Sequence, residues 1–232
     1  AGFQLERQTA EQRGRRKGFA SIKDIGREDK RGVKYYMIKQ FVKGKICVFI
    51  DAANILYSQQ TLGWRVDYKK LKEYFESECD LRAIYFYTGR VGADGKQNAF
   101  LKKLEQLGYI VKAKEVKRIK ISKSAYEWKG NLDVELTIDV LGNINNFDTL
   151  ILMSGDSDFA PLLDAVKARR KMVLVMSTKG HISKELLDRA KYINLKKLKD
   201  IASYYNKKSP RRSGERFDIV NIPKAIIDVK PK

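Results

Sequence analysis

The chain is poor in the residues that thiolate metal sites and disulfide scaffolds depend on. Its 232 residues include two cysteines, Cys47 and Cys79, and one histidine, His181. A zinc site of cysteine and histidine would have to combine these three scattered residues, and a mechanism that needs two imidazoles is excluded. Both cysteines lie in apolar segments, which predicts buried thiols in a reducing compartment.

Long apolar runs are also missing. No window approaches the roughly 18 uninterrupted apolar residues that a membrane-spanning helix needs. The first twenty residues contain no apolar stretch of the kind found in secretory signals. We therefore expect a cytoplasmic protein that does not enter a membrane.

Acidic residues are outnumbered, with 28 Asp and Glu against 48 Lys and Arg, a formal net charge of +20. Residues 1–45 carry a net charge of +8 and residues 196–232 carry +7, so most of the excess lies at the two ends. Such a charge is typical of a protein that binds a polyanion, most often a nucleic acid. The alternatives are an anionic membrane surface and a solvated charged exterior.

The rest of the composition suits a folded domain, since 43% of residues are hydrophobic and 10% are aromatic. Residues 46–50 form a continuous apolar run, as expected of a strand that is buried on both faces. Similar runs alternate with helical patterns as far as residue 204, which predicts a parallel, doubly wound α/β fold with three layers. We divide the chain into a basic N-terminal extension (1–44), the α/β domain (45–204) and a basic C-terminal tail (205–232).

Carboxylates follow two of the most apolar predicted strands. Asp51 comes directly after the first strand and precedes what reads as a turn of small residues, while Asp156 and Asp158 follow Leu150–Met153. Asp133 opens a helical pattern. Sites in open parallel sheets form at the carboxyl ends of the strands, so these side chains are expected to converge.

Three explanations compete for these carboxylates. Helix capping accounts well for Asp158, or for Ser157, because a helix follows at once, but less well for Asp51. Several carboxylates can also pair with lysines. An acidic pocket on a basic surface is, however, typical of a metal-dependent nuclease, in which carboxylates hold the metal and lysines hold the phosphate backbone.

Three segments, in this order and spacing, resemble the NYN domain and more narrowly the LabA-like (DUF88) branch of the PIN-like nuclease superfamily. They are residues 48–54 (VFIDAAN), 129–139 (KGNLDVELTID) and 154–159 (SGDSDF). The resemblance covers roughly residues 45–204. It implies a PIN-like fold with a central parallel sheet in the order 3-2-1-4-5, helices on both faces, and an endoribonuclease that depends on Mg²⁺ or Mn²⁺.

The resemblance also implies roles for individual residues. The metal ligands and catalytic carboxylates would be Asp51, Asp133, Asp156 and Asp158, and Asn54 would position a water or a phosphate. The expected products carry a 5′-phosphate and a 3′-hydroxyl. Asp139 matches the second aspartate of the family's helix motif, but it lies six residues after Asp133, about 240° away on an ideal helix, so the two cannot share one face. We therefore favour a structural role for Asp139 over a ligand role and leave the choice open.

The segment from residue 112 to residue 129 is the most basic part of the predicted domain. Lysines with interleaved aromatic residues are suited to binding single-stranded RNA. The alternation of apolar and basic residues over 116–121 could equally indicate a β-hairpin at a sheet edge, whose lysines prevent aggregation. The candidate RNA contacts are Lys112, Lys114, Lys117, Arg118, Lys120, Lys123, Tyr126, Trp128 and Lys129, with Arg90 and Lys179 at the same rim. Ser183 is expected to cap a helix, and His181 to be an exposed loop residue.

Other functions are weighed against the ribonuclease. A non-catalytic RNA-binding module with the same fold is the main alternative. A Rossmann-type nucleotide site would need a glycine-rich turn after the first strand, which is absent. An aspartate-nucleophile phosphatase would need a second aspartate at position 53, which is alanine. The expected partner is RNA, held in part by the basic ends, and a homodimer is left open.

Overall fold

The computed structural model describes residues 26–28, 34–90, 92, 94–120, 126–129 and 132–204. The strands are β1 (Gly26–Glu28), β2 (Lys34–Tyr36), β3 (Lys45–Asp51), β4 (Asp80–Arg90), β5 (Ile110–Glu115), β6 (Lys117–Lys120), β7 (Tyr126–Lys129), β8 (Thr149–Met153), β9 (Met172–Ser177) and β10 (Lys191–Asn194). The α-helices are α1 (Ala52–Leu62), α2 (Tyr68–Glu78), α3 (Gly95–Gln106), α4 (Asp133–Gly142), α5 (Ala160–Ala168), α6 (Lys184–Leu187) and α7 (Lys199–Ala202). Short 3₁₀ turns cover Ile38–Phe41, Ser157–Phe159 and Leu195–Leu198.

In this part of the chain, six strands form one parallel sheet in the order β5-β4-β3-β8-β9-β10. Counted along the chain, this is 3-2-1-4-5 with a sixth strand added at the edge. The predicted fold and strand order are therefore confirmed. All the strands end at the same edge, which places the residues that follow them together.

The central strand β3 is buried on both faces, as its apolar run predicts. Ile46, Val48 and Ile50 pack into one apolar cluster, and Cys47 and Phe49 pack into another on the opposite face of the sheet. The first cluster is completed mainly by α1, α2 and α3, and the second by α4, α5 and α6. Burying a large apolar side chain contributes about 1.5–3 kcal/mol, so these two cores fix β3 and everything attached to its ends.

The turn expected after Asp51 is a helix. The chain enters α1 at Ala52, and Gly63 ends the helix in a left-handed conformation with a φ of 68°. The small residues that suggested a turn are the first turn of a helix whose inner face is Ala52, Ile55 and Leu56. The expectation was wrong because small side chains fit a helix start packed against a sheet as well as they fit a turn.

The basic segment after β5 forms an antiparallel hairpin, in which β6 pairs with β7 as a separate two-stranded sheet. The hairpin interpretation of this alternation is thus confirmed for the backbone. The side chains of Lys117, Arg118, Lys120, Tyr126, Trp128 and Lys129, all of Lys123, and most of the two terminal extensions lie outside the described part of the chain.

Both cysteines are free thiols, with Cys47 buried and Cys79 partly buried. Burial is the main reason why the pKa of Cys47 rises to about 11 and that of Cys79 to about 12. Among the described residues, no helix has the length and apolar character needed to cross a bilayer.

Candidate metal centre

The carboxyl edge of the sheet collects the predicted acidic residues. Strands β3 and β8 are parallel neighbours in which Ile50 is level with Met153. The residues that follow them, Asp51 and Ser154, therefore emerge side by side. The chain then turns through Gly155 into the 3₁₀ turn that carries Asp158.

Asp133, Asp156 and Asp158 come together at this edge. Each offers one carboxylate oxygen, and these three atoms all lie within 4.8 Å of one another. Asp133 and Asp156 are partly buried and Asp158 is exposed. The tertiary structure thus brings together three of the four carboxylates that the resemblance implied as ligands.

The fourth carboxylate, Asp51, lies beside this group and is held by hydrogen bonds. The Ser154 hydroxyl donates to its Oδ2 at 2.9 Å, and the backbone N–H of Asn54 donates to its Oδ1 at 3.3 Å. Burial, and then the negative charges of Asp133 and Asp156, raise the pKa of Asp51 to about 7. A neighbouring cation would stabilise the ionised form of this carboxylate, because a positive charge offsets both the burial and the repulsion from Asp133 and Asp156.

The capping roles differ from those expected. Asp51 is the N-cap of α1, although capping was expected to account for it less well than for Asp158. Asp156 caps the 3₁₀ turn by accepting from the backbone N–H of Asp158 at 3.0 Å, so the capping residue is neither Asp158 nor Ser157. Ser183 caps α6, as predicted. One oxygen of Asp51 and one of Asp156 thus hold local backbone, and this fixes where the carboxylates point.

Asn54 stands in the first turn of α1 and connects the acidic group to the end of β9. Its Oδ1 accepts a hydrogen bond from the Ser177 hydroxyl at 3.5 Å, and the same hydroxyl also lies 3.3 Å from the carbonyl of His181. Sequence reasoning missed Ser177. The rule that located Asp51 would have found it, since Ser177 is the last residue of a buried strand.

His181 is less solvated than its loop position suggested. Its Nε2 lies 2.6 Å from the hydroxyl of Thr61, and its ring meets the ring of Tyr57 edge-on with centroids 5.1 Å apart. Its carbonyl packs so closely on Gly155 that a Cβ at that glycine would lie 1.6 Å from the oxygen. Tyr57 and Thr61 were not singled out from the sequence because α1 itself was not expected.

Asp139 is not one of the three grouped carboxylates and instead contacts Tyr87 and Lys112. Its Oδ2 accepts from the Tyr87 hydroxyl at 2.8 Å and lies 3.6 Å from the Nζ of Lys112. Burial and this hydrogen bond to a carboxylate hold the pKa of Tyr87 well above its usual range. These contacts fit a structural role for Asp139.

Three of the candidate RNA-binding cations have acidic partners. Lys112 pairs with Asp139, Lys114 with Glu135 at 2.5 Å, and Arg90 with Glu115 at 3.4 Å. The ion pair with Lys114 lowers the pKa of Glu135. Exposed pairs of this kind contribute only about 0–1 kcal/mol, so a phosphate can compete for these cations. Lys179 is exposed and has no acidic partner within ion-pair distance in the described part of the chain.

The donor set fits a hard divalent cation. It consists of carboxylate oxygens, with the Asn54 amide and the Ser154 hydroxyl close by, and oxygen donors are the ligands that Mg²⁺ and Mn²⁺ prefer. The site opens to solvent on the side of Asp158, which leaves room for water and phosphate oxygens. A cation at this site would be held by Asp133, Asp156 and Asp158, with Asp51 next to them.

Comparisons with known proteins agree with this geometry. The NYN domain family model matches residues 45–196. The chain is 33% identical to the low amplitude and bright protein LabA of Synechococcus elongatus over 172 residues, which is 72% of this chain and 90% of LabA. A crystal structure of a protein of unknown function from Vibrio parahaemolyticus, 25% identical, superposes with a TM-score of 0.58 over 70% of this chain and 97% of that one.

The match covers the sheet, the acidic edge and the helices that hold it. NYN domains have a nuclease-like fold, and nucleases of this kind typically use divalent metals. This chain belongs to the NYN domain family, on its LabA-like branch.

Proposed function

We propose that this protein is an endoribonuclease that depends on Mg²⁺ or Mn²⁺ and hydrolyses RNA phosphodiester bonds at the carboxyl edge of its sheet. The observation that carries the proposal is the convergence of Asp133, Asp156 and Asp158 within 4.8 Å, next to Asp51, in a protein with a nuclease-like fold. So close a group of like charges is costly unless a cation offsets it.

When bound, a divalent cation activates water as a nucleophile and offsets the charge on phosphate oxygens. Asp133, Asp156 and Asp158 hold that cation. Asp51, fixed by Ser154 and by the N-terminus of α1, supplies a fourth carboxylate. Asn54 offers its amide N–H to water or to a phosphate oxygen, because its Oδ1 already faces Ser177.

RNA reaches the site along a basic surface. Lys179 on one side, and Lys112, Lys114 and Arg90 on the other, supply cations at the rim. The remaining proposed contacts belong to the hairpin (Lys117, Arg118, Lys120, Lys123, Tyr126, Trp128 and Lys129). Lysines and arginines contribute affinity through the phosphate backbone, so binding is expected to weaken steeply as salt rises.

The test is cleavage of labelled single-stranded and structured RNA by the purified protein with Mg²⁺, Mn²⁺ or EDTA. We expect cleavage with either metal and none in EDTA, with 5′-phosphate and 3′-hydroxyl ends. Asp156→Asn and Asp133→Asn should lower the rate at least about 100-fold while RNA affinity in EDTA stays within about 3-fold of wild type.

Asp164→Asn is the matched control. It removes one carboxylate from the surface of α5, where Asp164 pairs with Arg189, and should leave cleavage unchanged. Cleavage that survives EDTA, or an unchanged rate in Asp156→Asn, would contradict the proposal. RNA binding with no cleavage under any metal would favour the alternative of a non-catalytic RNA-binding module.

A further inference from the structure

The rings of Tyr57 and His181 meet where α1 contacts the loop after β9, and we call this pair the aromatic ledge. Tyr57 projects from α1 with 37% of its surface exposed, and His181 approaches it edge-on from the loop after β9. Asn54, Tyr57 and Thr61 recur at spacings of three and four residues, so they share the face of α1 that meets this loop. A tyrosine whose ring served only to fill the core would be buried.

The loop that carries His181 has a fixed shape. Residues 178–181 form a tight turn closed by a hydrogen bond from the His181 N–H to the Thr178 carbonyl at 2.9 Å. Gly180 adopts a φ of 91° there, which side chains rarely tolerate. The Ser183 N–H donates to the Gly155 carbonyl at 2.9 Å, so the loop is tied to the segment that leads into Asp156.

The histidine is placed for binding and not for proton transfer at the acidic group. Its Nε2 is engaged by Thr61, ten residues along the chain from Asp51 and so about 15 Å along the helix. Its Nδ1 has no partner in the described part of the chain. The ring is therefore held in position by Thr61, and Tyr57 beside it keeps 37% of its surface exposed.

The separation between the ledge and the metal ligands matches a short length of single-stranded RNA. Tyr57 is six residues beyond Asp51, about 9 Å along α1, which corresponds to two or three stacked nucleotides at about 3.4 Å each. Lys179 stands exposed in the same loop as His181. An aromatic ledge beside a cation is the combination that binds a base together with its phosphate.

We propose that Tyr57 and His181 bind an unpaired nucleobase of the RNA two or three nucleotides from the cleaved bond, with Lys179 contacting the neighbouring phosphate. Tyr57 supplies a face for stacking, and Thr61 holds the imidazole so that Nδ1 meets the edge of the base. A paired base cannot reach the ledge, so this site selects single-stranded substrate. The proposal rests on the proposed function and names the substrate class that the same site prefers.

The test measures binding in EDTA, so that it does not depend on cleavage. Full-length wild type, Tyr57→Ala, Tyr57→Phe, His181→Ala and Tyr204→Ala are titrated with a single-stranded oligoribonucleotide that contains 2-aminopurine, and with a duplex of the same length. Tyr57→Phe keeps the ring, and Tyr204→Ala removes an exposed tyrosine at the end of the described chain.

We expect Tyr57→Ala to weaken single-strand affinity about 5- to 100-fold and to abolish quenching of 2-aminopurine, with little change for the duplex. His181→Ala should do the same to a smaller extent, and Tyr57→Phe and Tyr204→Ala should resemble wild type. Equal losses of affinity for single strand and duplex, or no loss of affinity in Tyr57→Ala, would contradict base binding at the ledge.

The two proposals fail separately. If Asp156→Asn stops cleavage while Tyr57→Ala binds single strands normally, the ribonuclease proposal is supported and base binding at the ledge is contradicted. If wild type cleaves no RNA yet Tyr57→Ala loses single-strand binding selectively, base binding at the ledge is supported and the protein is an RNA-binding module without ribonuclease activity. Wild type that binds no RNA at all contradicts both.

Discussion

The hydroxyl of Ser154 donates a hydrogen bond to Oδ2 of Asp51 at 2.9 Å. The Oγ of Ser154 in turn accepts a hydrogen bond from the backbone N–H of Asp156 at 3.2 Å. Ser154 is fully buried, so neither bond is shared with solvent. One serine therefore holds both the carboxylate of Asp51 and the backbone of Asp156.

Replacing Ser154 by alanine should weaken binding of Mn²⁺ about 10- to 100-fold, which is the usual cost of losing a group that orients metal ligands. Isothermal titration calorimetry measures the affinity directly. Ser58→Ala is the matched control, since Ser58 is also fully buried and its hydroxyl has no partner in the described part of the chain. Equal affinities in Ser154→Ala and wild type would mean that Ser154 does not order the site.

The stability of the metal-free protein should fall as pH rises from 4 to 8, because of Asp51. Its pKa lies near 7 in the folded protein and near 3.8 in the unfolded chain. The unfolded chain therefore gives up this proton first, and ionising the buried group costs free energy that grows between these two values. Below pH 4 both states are protonated and the cost is absent.

Asp51→Asn removes that ionisation while keeping an oxygen that can cap α1. In EDTA at pH 8 the variant should be more stable than wild type by about 1–3 kcal/mol, and the difference should vanish near pH 4. Urea unfolding across this pH range measures it. Asp67→Asn, which alters the N-cap of α2 in the same way, should show no such gain.

Gly155→Ala should disturb the contact between the two loops at the site. The new Cβ would overlap the carbonyl oxygen of His181, a backbone atom that cannot swing aside. We expect a loss of about 1–3 kcal/mol in unfolding free energy, together with weaker metal binding. Gly142→Ala, where nothing lies within 4 Å, should be neutral or stabilising by up to about 1 kcal/mol. Similar behaviour of the two variants would contradict the tight packing.

Tyr87→Phe should test whether Asp139 stabilises the fold without contributing to metal binding. It deletes the 2.8 Å hydrogen bond to Asp139 in a buried position and should cost about 0.5–1.5 kcal/mol in unfolding free energy. Affinity for Mn²⁺ should change by less than about 3-fold, because Asp139 faces Lys112 and not the acidic group. A metal defect as large as that of Ser154→Ala would show that Asp139 acts on the site after all.

Much of the fold could be predicted from the hydrophobic periodicity of the sequence. The uninterrupted apolar run of β3 identified a strand that is buried on both faces, and the alternation of such runs with amphipathic segments gave the parallel sheet. Asp133, Asp156 and Asp158 could be chosen because they follow predicted strands or begin a helix. Asp139 could be set apart from Asp133 by the geometry of a single helix.

What was missed depends on contacts between distant segments. α1 was not foreseen because Ala52, Ala53 and Asn54 suit a turn when seen alone, and the helix is stabilised by packing on the sheet. Ser177, Thr61 and Tyr57 gained significance only when the loop after β9 was seen to fold back on α1.

The sequence by itself determined the charge, the layers of the fold and the types of side chain available at the carboxyl edge, because these follow from composition and local periodicity. Only the tertiary structure decided which carboxylates meet, that burial raises the pKa of Asp51, and that His181 faces Thr61. Each of these depends on distances between residues that lie scores of positions apart in the chain. The parallel pairing of β3, β8 and β9 brings the segments that follow these strands together, and no local pattern predicts it.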